Sequence, residues 1–227
     1  MPRRARFTVP DGIYHVMVRG NDRKPVFHDD EDFKVYLEFL KDCKEKYGIK
    51  LYHYALMNNH VHLIVESEDG NKLSGFMKRL NVYYVNYYRK KYRGIGHFFQ
   101  DRFKSFLIQR GRYMLECGRY VELNAVKAGL VEKPEEYHWS SYRVYSEGWK
   151  QQLVDLDPEF ERLSEDKEQR IKLYRQYVEE VEMEKRDEER FFRAGLYGSK
   201  EYTQRLQDEG LRPKWSHKGR PKRKRNA

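Results

Sequence analysis

Cysteine is nearly absent from the chain. Cys43 and Cys117 are the two in 227 residues, too few for a disulfide framework or a cysteine-rich zinc site. Both read as small buried residues of a reducing compartment. No run of about 18 apolar residues occurs, which excludes a transmembrane helix. The first twelve residues, MPRRARFTVPDG, have no apolar stretch behind their arginines, so no secretory signal is expected and the expected location is the cytoplasm. There is no GxxxxGK[ST] and no H-E-x-x-H, so neither P-loop nucleotide chemistry nor zinc proteolysis of that type is signalled. No internal repeat is found.

Positive charge, by contrast, is abundant: 46 Lys+Arg against 36 Asp+Glu, a net +10. It is distributed in blocks. Residues 1–128 carry +9, residues 129–211 carry −7, and residues 212–227 carry +8. The two basic blocks suit a polyanion; the acidic one suits a solvated helical face or a segment that folds back on the basic surface. Apolar residues are 39%, but 19 Tyr, 12 Phe and 3 Trp can build a core of moderate size.

Hydrophobic periodicity gives the element order. IYHVMVR (13–19) reads as a strand, followed by a Gly20-Asn21-Asp22 turn. Asp29 to Tyr47 reads as a helix stopped by Gly48. Strands 49–56 and 60–66 flank the short Met57-Asn58-Asn59 link and form a hairpin. Asn71 to Arg93 is a second helix, 98–109 a fourth strand with an irregular start, and Arg112 to Ala128 a third helix ended by Gly129. The order is that of an α+β, ferredoxin-like split βαβ. Four antiparallel strands carry two helices on one face, and the other face is left for chemistry or a partner. Three segments follow: a domain over 1–130, a mainly helical extension over 131–211 packed on it, and a basic tail over 212–227 too charged to fold alone.

His60-Val61-His62 is the most informative triplet. Residues two apart on a strand face the same way, so both imidazoles converge and form half a divalent-metal site, although His-X-His also occurs in ordinary sheets. On the third helix Tyr120 and Asn124 are four apart and share a face, with Glu122 pointing elsewhere. An asparagine within a helix is a poor former and needs a reason: a ligand role, or a hydrogen bond to loop backbone. A half-buried structural tyrosine is the ordinary reading of Tyr120. Of Tyr83, Tyr84, Tyr87, Tyr88 and Tyr92, those on or near the apolar side, Tyr84, Tyr87 and Tyr88, are read as core and candidate stacking groups, interleaved with cations that suit single-stranded DNA. Arg102, Lys104, Arg110 and Arg112 form a candidate phosphate track, with Arg3, Arg4 and Arg6 as a possible arm. In the tail, Lys218, Arg220, Lys222 and Arg223 are further candidate DNA contacts. Lys218-Gly219-Arg220-Pro221 is one lysine short of the Arg-Gly-Arg-Pro core of an AT-hook.

Taken in order, GIYHVMVRGNDR, ALMNNHVHLIV, FQDRFKSFLI, RYVELNAVKAGLV and YHWSSYR span residues 12–142. With them the chain resembles the single-tyrosine transposases named for their histidine–hydrophobic–histidine motif, most of all the REP-associated tyrosine transposases. Two departures are local: Asn58 stands where proline is frequent, and Ala125-Val126-Lys127 where Pro-Val-Arg is common. The resemblance implies that His60 and His62 bind Mg²⁺ or Mn²⁺, that Tyr120 is the nucleophile and that Asn124 is a third ligand. It implies hairpin-bearing single-stranded DNA as partner, at palindromic extragenic repeats, and a nucleoid-associated protein acting as a monomer. Related transposases exchange the nucleophile helix between two subunits.

The chemistry expected is nicking and joining of single-stranded DNA through a 5′-phosphotyrosine. A free phenol with a pKa near 10 is only about 0.1% ionised at neutral pH, so a metal that polarises the phosphate and stabilises the leaving 3′ oxygen has a task to do. The alternative is a domesticated hairpin-binding protein with little or no cleavage. A third reading, an RNA-binding ferredoxin-like domain, lacks RNP-type aromatics on the central strands.

Overall fold

The computed structural model describes residues 8–93, 96–149, 152–180 and 195–210. Strand β1 (Gly12–Arg19) leads to helix α1 (Asp30–Tyr47), then to the hairpin β2 (Lys50–Met57) and β3 (His60–Ser67). Helix α2 (Gly70–Tyr92) and strand β4 (Lys104–Ile108) complete the second half. Beyond them come α3 (Arg112–Glu122), the single turn α4 (Asn124–Lys127), α5 (Tyr142–Ser146), α6 (Pro158–Glu161), α7 (Lys167–Glu180), β5 (Leu196–Tyr197) and α8 (Lys200–Asp208). The strand order is β2-β3-β1-β4-β5. The first four are antiparallel neighbours, as a ferredoxin-like split βαβ requires.

Local chemistry sets the helix ends. The Asp29 carboxylate accepts from the Asp32 amide, and Gly48 takes the left-handed conformation (φ 61°) that ends α1. Asp69 caps α2 through the amides of Asn71 and Lys72. α1 and α2 are locked together by the fully buried Asp32. It accepts from the Lys91 ammonium (2.8 Å), the Tyr87 hydroxyl (2.9 Å), the Tyr92 hydroxyl (2.8 Å) and the His28 amide (2.8 Å). Tyr84 is buried and donates to the Val26 carbonyl. Tyr84 thus lies in the core, with Tyr83, Tyr87 and Tyr88 of the same helix packed against it.

Alternation splits the sheet into two faces. Val16, Val18, Val61, Leu63 and Val65 pack on one side against Phe33, Tyr36, Leu40, Phe76, Leu80 and Tyr84 of α1 and α2. On the other side Ile13, Tyr52, Ala55, Ile64 and Ile108 meet Met114, Cys117, Tyr120 and Val121 of α3. The second face is thus not left open. Segment 137–178 joins the first core through Tyr142, Tyr145, Phe160, Tyr174 and Val178.

Two expectations need correction. The sheet has five strands, not four: β5 pairs in parallel with β4, the Leu107 amide donating to the Gly195 carbonyl and the Gln109 amide to that of Tyr197. Without it β4 would present an unpaired edge, and two residues are too short to show periodicity. The helix expected over 112–128 is broken at Leu123 (φ −81°, ψ 0°) into α3 and α4.

His53 ties the sheet to α3 and the extension. Fully buried, it holds Nδ1 2.9 Å from Glu122 Oε1 and Nε2 3.1 Å from Asp157 Oδ2. Two carboxylate acceptors on two ring nitrogens require a proton on each. Burial opposes the charge, but Glu122 and Asp157 outweigh it and raise the His53 pKa from 6.5 to about 9. A folded-state pKa above the unfolded one means this contribution is complete below pH 6.5 and is lost as pH rises through about 9. The urea midpoint should therefore fall across that window, and His53→Gln should be less stable at low pH with a flatter profile. An unchanged profile in the variant would show that His53 does not titrate as described.

Candidate active site

Paired residues of antiparallel strands share a face, and the register places the chemistry. Arg19 pairs with His60 and Met17 with His62, while His15 pairs with Ile64. On the outer side of β1, Lys104 pairs with Met17 and Phe106 with His15. The α3 face of the sheet therefore carries His15, His60, His62, Arg19 and Lys104 in adjoining rows. The Asn58-Asn59 turn positions His60 at the start of β3, and the Gly20 amide bonded to the Asn59 carbonyl closes that end.

Tyr120 descends on this patch from α3. Its ring centre is 6.0 Å from that of His15 and 6.1 Å from that of His62, edge-on to both. The His60 and His62 rings are 4.8 Å apart. The predicted pair and the predicted tyrosine, 58 residues apart in sequence, are thus brought to one place. The Lys127 ammonium stands 4.7 Å over the Tyr120 ring, adding positive charge beside the phenol.

All three imidazoles are held neutral. Burial lowers the His15 pKa to about 3, aided by His60, and lowers that of His60 to about 4, aided by Arg19. Burial, with His15, His60 and Arg19, drives His62 well below its usual value. A neutral imidazole is the form that binds a metal. The tautomers also suit this. His60 Nδ1 lies 2.5 Å from Asn59 Oδ1, an acceptor, so Nδ1 carries the proton and Nε2 the lone pair. His62 Nδ1 lies 2.8 Å from His15 Nε2, and His62 Nε2 is buried with no hydrogen-bond partner. That nitrogen has the lone pair and the burial that suit a bound cation. Among the described residues no group of three or more His, Cys, Asp or Glu that could hold a metal is assembled. A metal held by these two histidines would need its remaining donors from other groups.

Asn124 follows the break at Leu123. Its amide nitrogen donates to the carbonyls of Tyr120 (2.8 Å) and Val121 (3.2 Å), leaving Oδ1 outside those bonds. The exposed Arg102 and Lys104 line a small cleft of about 50 Å³ with Met17, Arg19, Gln100 and Asp101. Arg110 instead binds Glu66 (3.0 Å) and the Asp11 carbonyl, and Arg112 binds the Tyr113 hydroxyl (3.0 Å). Lys218, Arg220, Lys222 and Arg223, with Arg3, Arg4 and Arg6, lie outside the described residues.

His15, Arg19, Asn59 and Lys127 are additions to the residues singled out from sequence. The signal for two of them was present: His15, Met17 and Arg19 alternate on β1, and the split βαβ order puts β1 beside β3. Asn59 and Lys127 act through a turn and a helix end, which spacing alone does not reveal.

A sequence model of the family described as transposase IS200-like matches residues 8–124. The structure of a REP-associated tyrosine transposase bound to a REP hairpin superposes with a TM-score of 0.55 at 17% identity, covering 69% of this chain and 95% of that one. At that identity the likeness shows the fold alone. A candidate transposase from Deinococcus radiodurans R1 covers 61% of this chain and 97% of its own at 14% identity, but its TM-score of 0.37 is too low to carry an inference. Comparison with curated proteins finds no significant match.

The His15–His62 contact has a measurable consequence. His15→Phe removes the hydrogen-bond partner of His62 while keeping a ring; if His60 and His62 take up Mn²⁺, its affinity by calorimetry should fall about 10- to 100-fold. His15→Gln should recover part of it. Unchanged affinity in His15→Phe, with binding abolished in His62→Ala, would show that His15 does not orient the ligand.

Proposed function

The chain belongs to the IS200-like transposase family, and on that premise we propose that it nicks and joins single-stranded DNA with Tyr120 as nucleophile, in the manner of a REP-associated tyrosine transposase. The observation that carries the reading is the placement of the Tyr120 ring within 6.1 Å of His62, over a pair of neutral, oriented imidazoles.

His60 and His62 would hold Mg²⁺ or Mn²⁺ through their Nε2 atoms, and Asn124 Oδ1 is assigned as a further donor. When bound, the cation supplies charge to the scissile phosphate and its departing oxygen. The chain does the rest. The Tyr120 oxygen attacks phosphorus in line and gives up its proton to solvent, the bond to the 3′ oxygen breaks and that oxygen takes up a proton, and the products are a 5′-phosphotyrosine and a free 3′-OH. The phosphodiester energy is kept in the new ester, so a second 3′-OH can reverse the step without a nucleotide cofactor. Arg19, Lys104 and Lys127 place positive charge around the point where the phosphate must sit, and Arg102 extends it outward. The partial covering of the sheet by α3 suits a single strand rather than a duplex. A hairpin beside the cleavage site supplies recognition in this reading, as a REP hairpin is the DNA bound in the structural neighbour.

The test is a denaturing gel of the protein with labelled single-stranded oligonucleotides carrying hairpins from the DNA around its gene. A Mn²⁺-dependent covalent band is expected, absent in Tyr120→Phe, which should keep hairpin affinity within about threefold because one lost hydroxyl alters little packing. Tight binding without any adduct would replace the enzyme with a hairpin-binding protein. Deleting residues 212–227, eight of which are cations, should flatten the salt dependence of hairpin binding. An unchanged slope would place the tail off the DNA.

A further inference from the structure

Helix α3 has two sides with different tasks. Tyr120 looks toward His15 and His62. Glu122, two residues on, is buried and receives three partners from three other segments: His53 Nδ1 of β2 (2.9 Å), the Ser141 hydroxyl (2.7 Å) and the Tyr174 hydroxyl of α7 (2.7 Å). His53 is held in turn by Asp157 (3.1 Å) and stacked on Tyr145 at 4.4 Å. One turn earlier, the buried Arg119 donates Nε to the Val178 carbonyl of α7 (3.1 Å). Helix and strand are in close approach here. A Cβ on Gly118 would come within 2.6 Å of the His53 ring, so glycine is what lets α3 sit at this depth.

We infer that Glu122, held by His53, Ser141 and Tyr174, is a positioning residue for Tyr120, and that the segment from Ser141 to Val178 serves the chemistry by fixing α3 over the histidines. The inference rests on the reading of Tyr120 as nucleophile. Apolar contacts from Met114, Cys117 and Val121 hold a helix against a sheet but tolerate sliding and rotation. A carboxylate with three directional donors does not. A helix turned by one residue would swing Tyr120 by about 100° around its axis and off the histidine patch. The break at Leu123 adds to the need. The helix breaks at Leu123, directly after Glu122, so α3 does not run on as one straight helix and the buried carboxylate secures this end.

The test uses the full chain with 3-fluorotyrosine at position 120 and compares Glu122→Gln and Glu122→Ala. Glu122→Gln keeps size and some hydrogen bonding; Glu122→Ala keeps neither. Three readouts are taken under conditions where circular dichroism shows the variants folded. Single-turnover adduct formation should fall at least tenfold in Glu122→Ala and less in Glu122→Gln. Hairpin affinity should stay within about threefold. The fluorine resonance, one sharp line in the parent, should broaden or split in the same graded order. If Glu122→Ala is folded and shows an unchanged line and an adduct rate within twofold of the parent, the inference is overturned. If the parent forms no adduct at all, the enzymatic reading fails, while the fluorine line still decides whether Glu122 positions Tyr120. Should Glu122→Ala not fold, Ser141→Ala and Tyr174→Phe, each removing one donor, carry the same comparison.

Discussion

A β-strand sends successive side chains to opposite sides, and β3 uses that alternation for two purposes at once. Val61, Leu63 and Val65 build the core against α1 and α2. His60 and His62, interleaved with them, can then project nowhere but the opposite face. A slip of one residue would turn both imidazoles into the core under α1 and α2 and put Val61, Leu63 and Val65 on the α3 face. The hydrophobic core therefore holds the register of the chemistry. The pairing of β1 with β3 extends the same constraint, bringing His15 and Arg19 to the histidines from a strand more than forty residues away in sequence.

The second constraint is how α3 is held on that face. Met114, Cys117, Tyr120 and Val121 give α3 apolar contact with the sheet, and three polar anchors supplement them: Glu116 to the Tyr197 hydroxyl, Arg119 to the Val178 carbonyl, and Glu122 to His53. A fully buried ion pair is a poor way to add stability, since desolvation consumes most of the attraction. Removing one partner nonetheless costs roughly 3–5 kcal/mol by stranding the other charge. What such a pair supplies well is direction. The geometry at His53, with a carboxylate on each ring nitrogen, fixes sheet, helix and extension relative to one another.

The ferredoxin-like order and the convergence of His60 with His62 were legible in the sequence because each depends on short-range periodicity, whereas the candidacy of Tyr120 came from the resemblance of the ordered motifs to a known family. Alternation over eight residues fixes a face, and the motif order supplies the partner. What could not be read depended on contacts between distant segments. β5 is two residues long and exists because β4 has an open edge. The break at Leu123 lies inside a segment whose apolar spacing continues unbroken. The amide nitrogen of Asn124 bonds the carbonyls of Tyr120 and Val121 across that break. The cations divide similarly. Arg102 and Lys104 are exposed beside the histidine rows, whereas Arg110 and Arg112, equally basic in sequence, are engaged with Glu66 and Tyr113. His53 and Glu122 carry no motif, and two ordinary residues 69 positions apart become a unit through the fold alone.

The central claim is that one tyrosine over one histidine pair does the chemistry. The most direct measurement is peptide mass spectrometry of the trapped protein–DNA adduct. The account predicts a nucleotide joined through its 5′ phosphate to the peptide that contains Tyr120. A label on the Tyr83–Tyr92 peptide, or a linkage through a 3′ phosphate, would contradict it.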